Sequence, residues 1–211
     1  MPVIYKHEID EQTTLAVWKI EEQEQELISG LQLKQHELDF IASLNKGKRL
    51  LHWLSTRLLL RTLLNTSAYI DVRMDDHGKP FLSDSSFHIS LSHSYDYAAV
   101  MIGRTRSVGV DIEMIKPKIQ SIKQKFLSLT ELGELNLETN SLYISWCAKE
   151  AIYKWYGKKG LEFRKHIRLL PFIPSDQGEL QAIVTLPEGP KILKVSYFKT
   201  QDGYMTGYIV A

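Results

Sequence analysis

The chain has 211 residues, a formal net charge of +1, 44% hydrophobic residues and 24% charged residues. This composition is typical of a soluble globular protein that is long enough to bury a core. The small net charge gives no overall attraction to nucleic acid or to membranes, and no apolar run approaches the roughly 20 residues that span a bilayer. The single cysteine, Cys147, allows no internal disulfide, and the N-terminus lacks a signal-peptide pattern. We therefore expect a cytoplasmic protein without nucleic-acid or membrane partners.

The first part of the chain is predicted to contain strands, then helices, then strands. Alternating apolar residues between turn signals predict strands over residues 2–9 and 15–20. Two short helices are expected over residues 21–29 and 34–44, and a longer one over residues 48–65, where leucines recur on one face. Further strands are predicted over residues 70–74, 87–92 and 97–102.

Basic side chains recur along the predicted helix 48–65. Arg49, Arg57 and Arg61, with Trp53 between them, stand four or eight residues apart and form a stripe along the helix. Arginines exposed to solvent are the usual explanation of such a stripe, and an anion-binding ridge is the functional one.

A hydroxyl–histidine–hydroxyl triplet, Ser92-His93-Ser94, ends the predicted strand 87–92 and connects it to the next strand. Turn chemistry explains such a triplet, because serine side chains bond to nearby backbone groups in turns. Binding of phosphate is the functional alternative. The residues alone leave both interpretations open.

Residues 109–113 predict a strand with two chemically different faces. Alternation places Asp111 and Glu113 on one face and Val110 and Ile112 on the other. This pattern indicates a strand that buries one side and presents two neighbouring carboxylates on the other.

A third carboxylate is expected on the predicted helix 139–156. Glu150 and Lys154 are four residues apart and therefore share one face of that helix. Together with Asp111 and Glu113, Glu150 would supply oxygen ligands for one hard divalent cation. The lysines beside these carboxylates could hold a phosphate.

The remaining elements complete an α+β chain. A helix is expected to start near Pro117, a loop or short helix occupies residues 129–137, and residues 139–141 offer an N-cap for the long helix. The turn at residues 201–203 predicts a hairpin. Strands are predicted over residues 167–172, 180–186, 191–199 and 204–210.

The order of elements repeats once, which predicts two similar halves. Residues 53–57 on one predicted long helix align with residues 146–150 on the other, and each helix is followed by strands that end in a hairpin. We therefore expect an α+β fold of two pseudo-twofold-related halves, 1–105 and 106–211. The first half has 11 basic and 14 acidic residues and the second has 15 and 11, so the second is the better host for anions.

An ordered set of motifs resembles a known family, the 4′-phosphopantetheinyl transferases of the monomeric, surfactin-synthetase-activating type. Its signature is matched by Gly-Val-Asp-Ile-Glu at 109–113 followed by Trp-x-x-Lys-Glu-Ala-x-x-Lys at 146–154. The resemblance covers nearly the whole chain. Four further segments match in the same order, namely Arg49-x-x-x-Trp53-Leu54-x-x-Arg57, Gly78-Lys79-Pro80, Ser90-Leu91-Ser92-His93-Ser94 and Phe126-Leu127-Ser128-x-x-Glu131.

The resemblance implies a reaction and a ligand set. Enzymes of this family move 4′-phosphopantetheine from coenzyme A to a serine hydroxyl of an apo acyl or peptidyl carrier protein and release 3′,5′-ADP. The implied fold has two related α+β halves with coenzyme A in the cleft between them. The implied metal is Mg²⁺, with Mn²⁺ as a substitute, held by Asp111, Glu113 and Glu150.

The resemblance also assigns the coenzyme contacts. It implies that the diphosphate is contacted by Lys149, Lys154 and His93. The 3′-phosphate would face Arg49, with Lys48 or Arg57 as alternatives and Ser92 nearby, and the adenine would be bordered by Lys79 and Pro80.

The residue types assigned by the resemblance suit the chemistry of the transfer reaction. Attack of a serine hydroxyl on the β-phosphoryl group develops negative charge that a cation and a lysine offset. Glu150 is expected to accept the hydroxyl proton, directly or through a metal-bound water. The serine belongs to the partner, so this chain needs no nucleophile of its own. The carrier itself is not identified by the sequence, although acidic carriers would suit the basic second half around residues 116–125.

Two other functions use the same residues. A metal-dependent phosphoesterase or nuclease would employ the three carboxylates, but would usually need a second acidic cluster, which the sequence does not show. In a non-catalytic binding module, Asp111 and Glu113 would be surface charge on a strand. That explanation leaves Lys149-Glu150 and the other ordered motifs without a reason.

Overall fold

The computed structural model describes residues 3–44, 47–83 and 85–211, which form two antiparallel sheets with helices packed on them. Residue 2, the start of the first predicted strand, lies outside the described residues. The α+β fold predicted from the sequence is confirmed. Over the described residues, no helix is long and apolar enough to cross a lipid bilayer.

The first sheet comes from the first half of the chain and has the strand order β1-β2-β6-β5-β4-β3. Along the chain, three of the described helices lie between the second and the third strand of this sheet. Within the described residues its strands are β1 (Val3–Asp10), β2 (Thr13–Lys19), β3 (Val72–Met74), β4 (Pro80–Leu82), β5 (His88–Ser94) and β6 (Tyr97–Gly103). The helices are α1 (Glu24–Ser29), α2 (Gln35–Ser43) and α3 (Lys48–Leu63).

The second sheet comes from the second half and has the order β7-β11-β10-β9-β8. Its described strands are β7 (Val108–Met114), β8 (Ile167–Leu169), β9 (Gln177–Leu186), β10 (Gly189–Lys199) and β11 (Tyr204–Val210). Its helices are α4 (Ile119–Phe126), α5 (Leu129–Glu134), α6 (Thr139–Tyr156) and α7 (Phe163–His166). The strands of the two sheets therefore separate between Gly103 and Val108, although the exact division at 105 and 106 stays a prediction.

Each half has its own core, and a third core joins the two halves. The leucine face of α3, including Leu54 and Leu59, packs on the first sheet, and α6 packs on the second. Between them, a buried cluster combines β2 and β6 with β7, where Val110 and Ile112 are completely buried. The predicted two-faced strand is confirmed, because its apolar face forms the junction between the halves.

Serine hydroxyls of β5 bond to the backbone of β7 where the halves meet. β7 is an edge strand, and an edge strand presents unpaired N–H groups. The Oγ atoms of Ser90, Ser92 and Ser94 accept hydrogen bonds from the N–H groups of β7 at 3.0, 3.2 and 3.2 Å. We call these three residues the serine ladder. It satisfies buried donors that would otherwise cost about 1–3 kcal/mol each.

The ladder corrects the interpretation of the triplet at residues 92–94. The triplet lies within β5 rather than in a connection, because the serines must alternate to face β7. The turn comes later, at Tyr95 and Asp96. A second expectation was also wrong, since the N-cap of α6 is Glu138, whose side chain makes no capping bond.

Candidate active site

A cavity of about 720 Å³ lies between the two halves. Its first wall comes from α2, α3 and the β3–β5 region, and its second wall comes from the last turns of α6. Polar residues on the wall include Arg49, Arg57, Lys79, His93, Glu150 and Lys154. The structure thus brings together six of the residues that the sequence predicted as a site.

Lys154 connects α6 to the carboxylate strand. Its Nζ lies 2.7 Å from Oδ1 of Asp111 and donates to Oγ of Ser92 at 2.8 Å. The same Asp111 oxygen accepts a hydrogen bond from Ser92 at 2.9 Å. Asp111 is buried, and its other oxygen, Oδ2, is buried without a hydrogen-bond partner. One carboxylate oxygen is therefore fully engaged, and the other accepts no hydrogen bond within the described part of the chain.

The other two carboxylates have raised pKa values because they are poorly solvated and close to negative charge. Burial raises the pKa of Glu150 to about 7, and the charges of Asp111 and Glu113 add to the effect, while Lys154 opposes it. Burial and Asp111 also raise the pKa of Glu113, whose Oε2 accepts a hydrogen bond from Ser94 at 2.8 Å. The three predicted carboxylates thus act on one another electrostatically.

The three predicted carboxylates do not stand as a preformed metal site in the part of the chain that the structure describes. In residues 3–44, 47–83 and 85–211, no three His, Cys, Asp or Glu side chains already form a group that could hold a metal ion. The donor chemistry nevertheless fits a hard cation, because burial and the neighbouring carboxylates raise the pKa values of Glu113 and Glu150, and a buried oxygen of Asp111 lacks a hydrogen-bond partner.

His93 extends from β5 to the cavity wall beside α6. Loss of solvation in the cleft lowers its pKa to about 4, and the charges of His52 and Lys154 contribute. Its ring stacks on that of His52, which lies on α3. A neutral imidazole is therefore expected at physiological pH, with one N–H to donate to an anion.

The basic stripe of α3 divides into two arginines that line the cavity and one that bonds to the backbone. Arg49 is exposed on the cavity wall, and Arg57 lies over the ring of Trp53 with its guanidinium carbon 3.7 Å from the ring centre. Burial lowers the pKa of Arg57 to about 10, and its Nε has no hydrogen-bond partner. Arg61 instead donates to the backbone carbonyls of Gly30, Thr66 and Ser67.

Lys48, the alternative 3′-phosphate contact, lies at the start of α3. Its Nζ is 2.9 Å from Oδ1 of Asp96 and lies 5.0 Å from the centre of the Tyr95 ring. Its charge is therefore already shared with the β5–β6 turn.

Lys79 joins the two halves at the far end of the cleft. Its Nζ donates to the carbonyl of Trp155 at 2.8 Å and to Oγ of Ser107 at 3.1 Å. Gly157 ends α6 in the left-handed region with φ +68°, and a Cβ there would lie 2.2 Å from Cδ of Lys79. Pro80 follows at the start of β4 and also lines the cavity.

Lys149 does not reach the cleft, which corrects its prediction as a diphosphate contact. Its side chain is fully buried, and its Nζ lies 2.7 Å from Glu131, itself completely buried. The ammonium also donates to the carbonyls of Phe126, Phe163 and Ile167. Lys149 is therefore a structural residue that joins α5, α6 and β8, and the Glu131 motif is its counter-ion.

Ser92 was predicted near the 3′-phosphate, and this too is corrected. Its hydroxyl is buried and already bonds to the N–H of Ile112, to Asp111 and to Lys154. It orients the carboxylate site from behind. The sequence signal for this role was a serine at every second residue of β5. This spacing matches the unpaired N–H groups at every second residue of the edge strand β7.

Sequence reasoning missed the apolar wall of the cavity and the second histidine. Phe40 packs near Trp53 with ring centres 5.8 Å apart, and Tyr153 lies on the α6 side. His52 is four residues before Thr56 on α3 and carries no motif. Only its contact with His93 in the folded chain identifies it.

Comparisons with known proteins identify the family of this chain. The sequence profile of the 4′-phosphopantetheinyl transferase superfamily matches residues 107–211. The 4′-phosphopantetheinyl transferase AcpT of Salmonella typhi is 32% identical over 138 residues, covering 62% of this chain and 71% of the relative. Sfp of Bacillus subtilis strain 168 is 26% identical over 158 residues, covering 70% and 68%. The transferase psf-1 of Bacillus pumilus is 37% identical over 136 residues, covering 62% and 56%.

The chain therefore belongs to the 4′-phosphopantetheinyl transferase superfamily. The predicted family and its two-sheet α+β fold are confirmed. Coenzyme A and a carrier protein are the substrates that this membership implies. Membership of this family supports neither of the two alternative functions, the phosphoesterase or nuclease and the non-catalytic binding module.

Proposed function

We propose that this chain transfers 4′-phosphopantetheine from coenzyme A to a serine of an apo acyl or peptidyl carrier protein. The observation that carries the proposal is the cavity between the halves, where Glu150 and Lys154 face His93 and the basic side of α3. The products are the holo carrier protein and 3′,5′-ADP. We further propose that the enzyme is a cytoplasmic monomer without nucleic-acid or membrane partners.

Coenzyme A is proposed to lie along this cavity, whose volume of about 720 Å³ is in the range of cofactor pockets. Arg49 and Arg57 would hold the 3′-phosphate. Support comes from the poorly solvated guanidinium of Arg57, whose Nε has no hydrogen-bond partner, because a buried cation is stabilised by an anion. Lys79 and Pro80 would border the adenine on the first half, which is proposed to be the nucleotide side.

Asp111, Glu113 and Glu150 are proposed to hold Mg²⁺, which Mn²⁺ would replace. The unpartnered Oδ2 of Asp111 and the raised pKa values of the other two carboxylates support this, because a divalent cation would relieve both. When bound, the cation neutralises charge on the diphosphate.

The protein's own side chains would then perform three tasks. Glu150 accepts the proton of the serine hydroxyl, because its carboxylate lies on the cavity wall. Lys154 and the N–H of His93 offset charge on the diphosphate as the bond to 3′,5′-ADP breaks. The ladder residue Ser92 keeps Lys154 and Asp111 in register by bonding to both.

One incubation tests the proposal. The protein is mixed with coenzyme A, Mg²⁺ and a panel of apo carrier proteins, and each carrier is weighed by mass spectrometry. We expect a phosphopantetheine adduct on the carrier serine and release of 3′,5′-ADP. A parallel sample with EDTA is expected to lose activity and to recover it with excess Mg²⁺ or Mn²⁺. The absence of adduct on every carrier would count against the transferase, and activity unchanged by EDTA would count against the metal.

A further inference from the structure

His52 contacts His93, which lines the cavity, and the turn that follows β5. Its imidazole stacks on that of His93, with ring centres 4.2 Å apart and planes 18° from parallel. Its Nε2 is 2.5 Å from the carbonyl oxygen of Tyr95. A carbonyl only accepts, so this nitrogen carries the hydrogen and donates it. One half-buried side chain of α3 thus holds both a cleft histidine and the turn that follows it.

The turn at Tyr95 needs such support. Tyr95 has φ +50°, a left-handed conformation that is uncommon for a residue with a side chain and persists where its surroundings hold it. Lys48 of α3 pairs with Asp96 at 2.9 Å. From the second half, Lys116 places its Nζ 3.5 Å from the centre of the Tyr95 ring. The turn is therefore fixed from both sides of the cleft.

The position of this turn also bears on Glu113. Ser94 directly precedes Tyr95, donates to Oε2 of Glu113 at 2.8 Å and accepts from the N–H of Met114 at 3.2 Å. A shift of the turn would move the hydroxyl that orients this carboxylate. His52 is thereby linked to His93 by direct contact and to Glu113 through two residues.

We propose that His52 is a positioning residue for the transfer reaction. Its ring fixes the orientation of His93, and its hydrogen bond fixes the turn that directly follows Ser94. This inference rests on the proposed function, because it assumes that His93 contacts the diphosphate of coenzyme A. His52 acts through its neighbours and exchanges no proton with the substrate.

Two substitutions separate the stack from the hydrogen bond. His52→Phe keeps a ring against His93 and loses the donor, whereas His52→Ala loses both. We expect His52→Ala to raise KM for coenzyme A by about tenfold and His52→Phe by less, with KM for the carrier within about twofold of the wild type. The control is His88→Ala, an exposed histidine at the start of the same strand, which should change neither.

A double-mutant cycle tests whether His52 acts through His93. We expect His52→Ala to have little further effect on KM for coenzyme A once His93→Ala is present, because the two changes remove one unit. Fully additive effects, or no effect of His52→Ala on KM, would overturn the proposal. Thermal unfolding checks the fold of each variant, and if His52→Ala does not fold, His52→Leu, which also removes the ring and the donor, carries the cycle.

An NMR measurement keeps this proposal separate from the transferase assignment. Stacked rings shield each other, so His52→Ala should shift the imidazole resonances of His93 in the protein without substrates. Wild-type protein that modifies no carrier would refute the transferase, while this shift would still test the contact. Active wild-type protein whose His93 resonances are unaffected by His52→Ala would refute the positioning role alone.

Discussion

Lys149 and Glu150 are neighbours in sequence with opposite surroundings. Successive residues of a helix point about 100° apart, so the Lys149 side chain enters the core while that of Glu150 reaches the cleft. The motif that contains them therefore combines a structural cation with a functional carboxylate. Lys149 pairs with Glu131, whereas the charges of Asp111 and Lys154 act on Glu150.

The proposed role of Glu150 as a proton acceptor gives the first prediction. Glu150→Gln keeps the size of the side chain but cannot accept the proton, so we expect the rate of holo-carrier formation to fall by roughly 10²–10⁴-fold. The thermal midpoint should not decrease. Glu138→Gln, at the exposed N-cap of the same helix, is the control and should retain full activity. An active Glu150→Gln enzyme would contradict the assignment.

The raised pKa of Glu150 also predicts how stability depends on pH without metal. Between its ordinary value of 4.5 and about 7, the folded state keeps the proton more often than the unfolded state does. The Glu150 contribution to the free energy of unfolding should therefore decrease as pH rises through this window. Asp111 and Glu113 reinforce the shift, and Lys154 opposes it.

Urea unfolding in EDTA at pH 5 and pH 8 measures this contribution. Relative to the wild type, Glu150→Gln should gain stability at pH 8 compared with pH 5, because it carries no proton to lose. Saturating Mg²⁺ should stabilise the wild type more than the variant. A stability difference between the two proteins that is the same at both pH values would disprove the coupling.

At the scale of elements, α6 is held in place by contacts on two faces. Its inner face buries Lys149 in a cage of Glu131 and three carbonyls, and its outer end presents Lys154 to Asp111 on β7. The serine ladder then fixes β7 against β5. The carboxylates are thereby positioned by a helix from one side and a strand from the other.

The buried ion pair predicts a loss of stability rather than a loss of coenzyme binding. Lys149→Met would leave the Glu131 charge buried and unpaired, which typically costs about 3–5 kcal/mol. The free energy of unfolding from urea titration should fall accordingly, while the affinity of the folded protein for coenzyme A stays within about twofold.

Adding Glu131→Gln removes the stranded charge and should restore part of the stability. This second variant serves as the matched control for the first. If the Lys149→Met protein is stable and binds coenzyme A much more weakly, Lys149 contacts the coenzyme and the structural role is wrong.

At the scale of the molecule, the cleft exists because two α+β halves share a third core. The halves also differ in charge, and α4 of the second half carries Lys123 and Lys125 in its last turn. An acidic carrier protein would approach this side favourably by electrostatic attraction.

Charge reversal tests this surface. Lys125→Glu should raise KM for an acidic carrier several-fold at low salt, and the difference should shrink as salt screens the charges. KM for coenzyme A should stay the same. Lys191→Glu on the second sheet, where Lys191 pairs only loosely with Glu188 at 3.6 Å, is the control. An unchanged carrier KM for Lys125→Glu would remove α4 from the docking surface.

The sequence by itself determined the family, the α+β class and most elements, because these follow from local periodicity and from spacing along one element. The strand that alternates Asp111 and Glu113 with apolar residues and the shared face of Glu150 and Lys154 are set by strand and helix geometry alone. The final strand, residues 204–210, was predicted with its observed bounds.

Only the tertiary structure decided which polar residues face the cleft. Lys149, Ser92 and Arg61 belong to the same sequence motif or stripe as Lys154, His93 and Arg57, respectively. The partners of the first three nevertheless come from distant segments of the chain, which enclose these side chains. A buried polar group is satisfied where hydrogen-bond partners from other elements meet it. Which partners meet it depends on how the elements pack and not on its neighbours in the sequence. For the same reason, His52 became visible only when α3 placed it against His93.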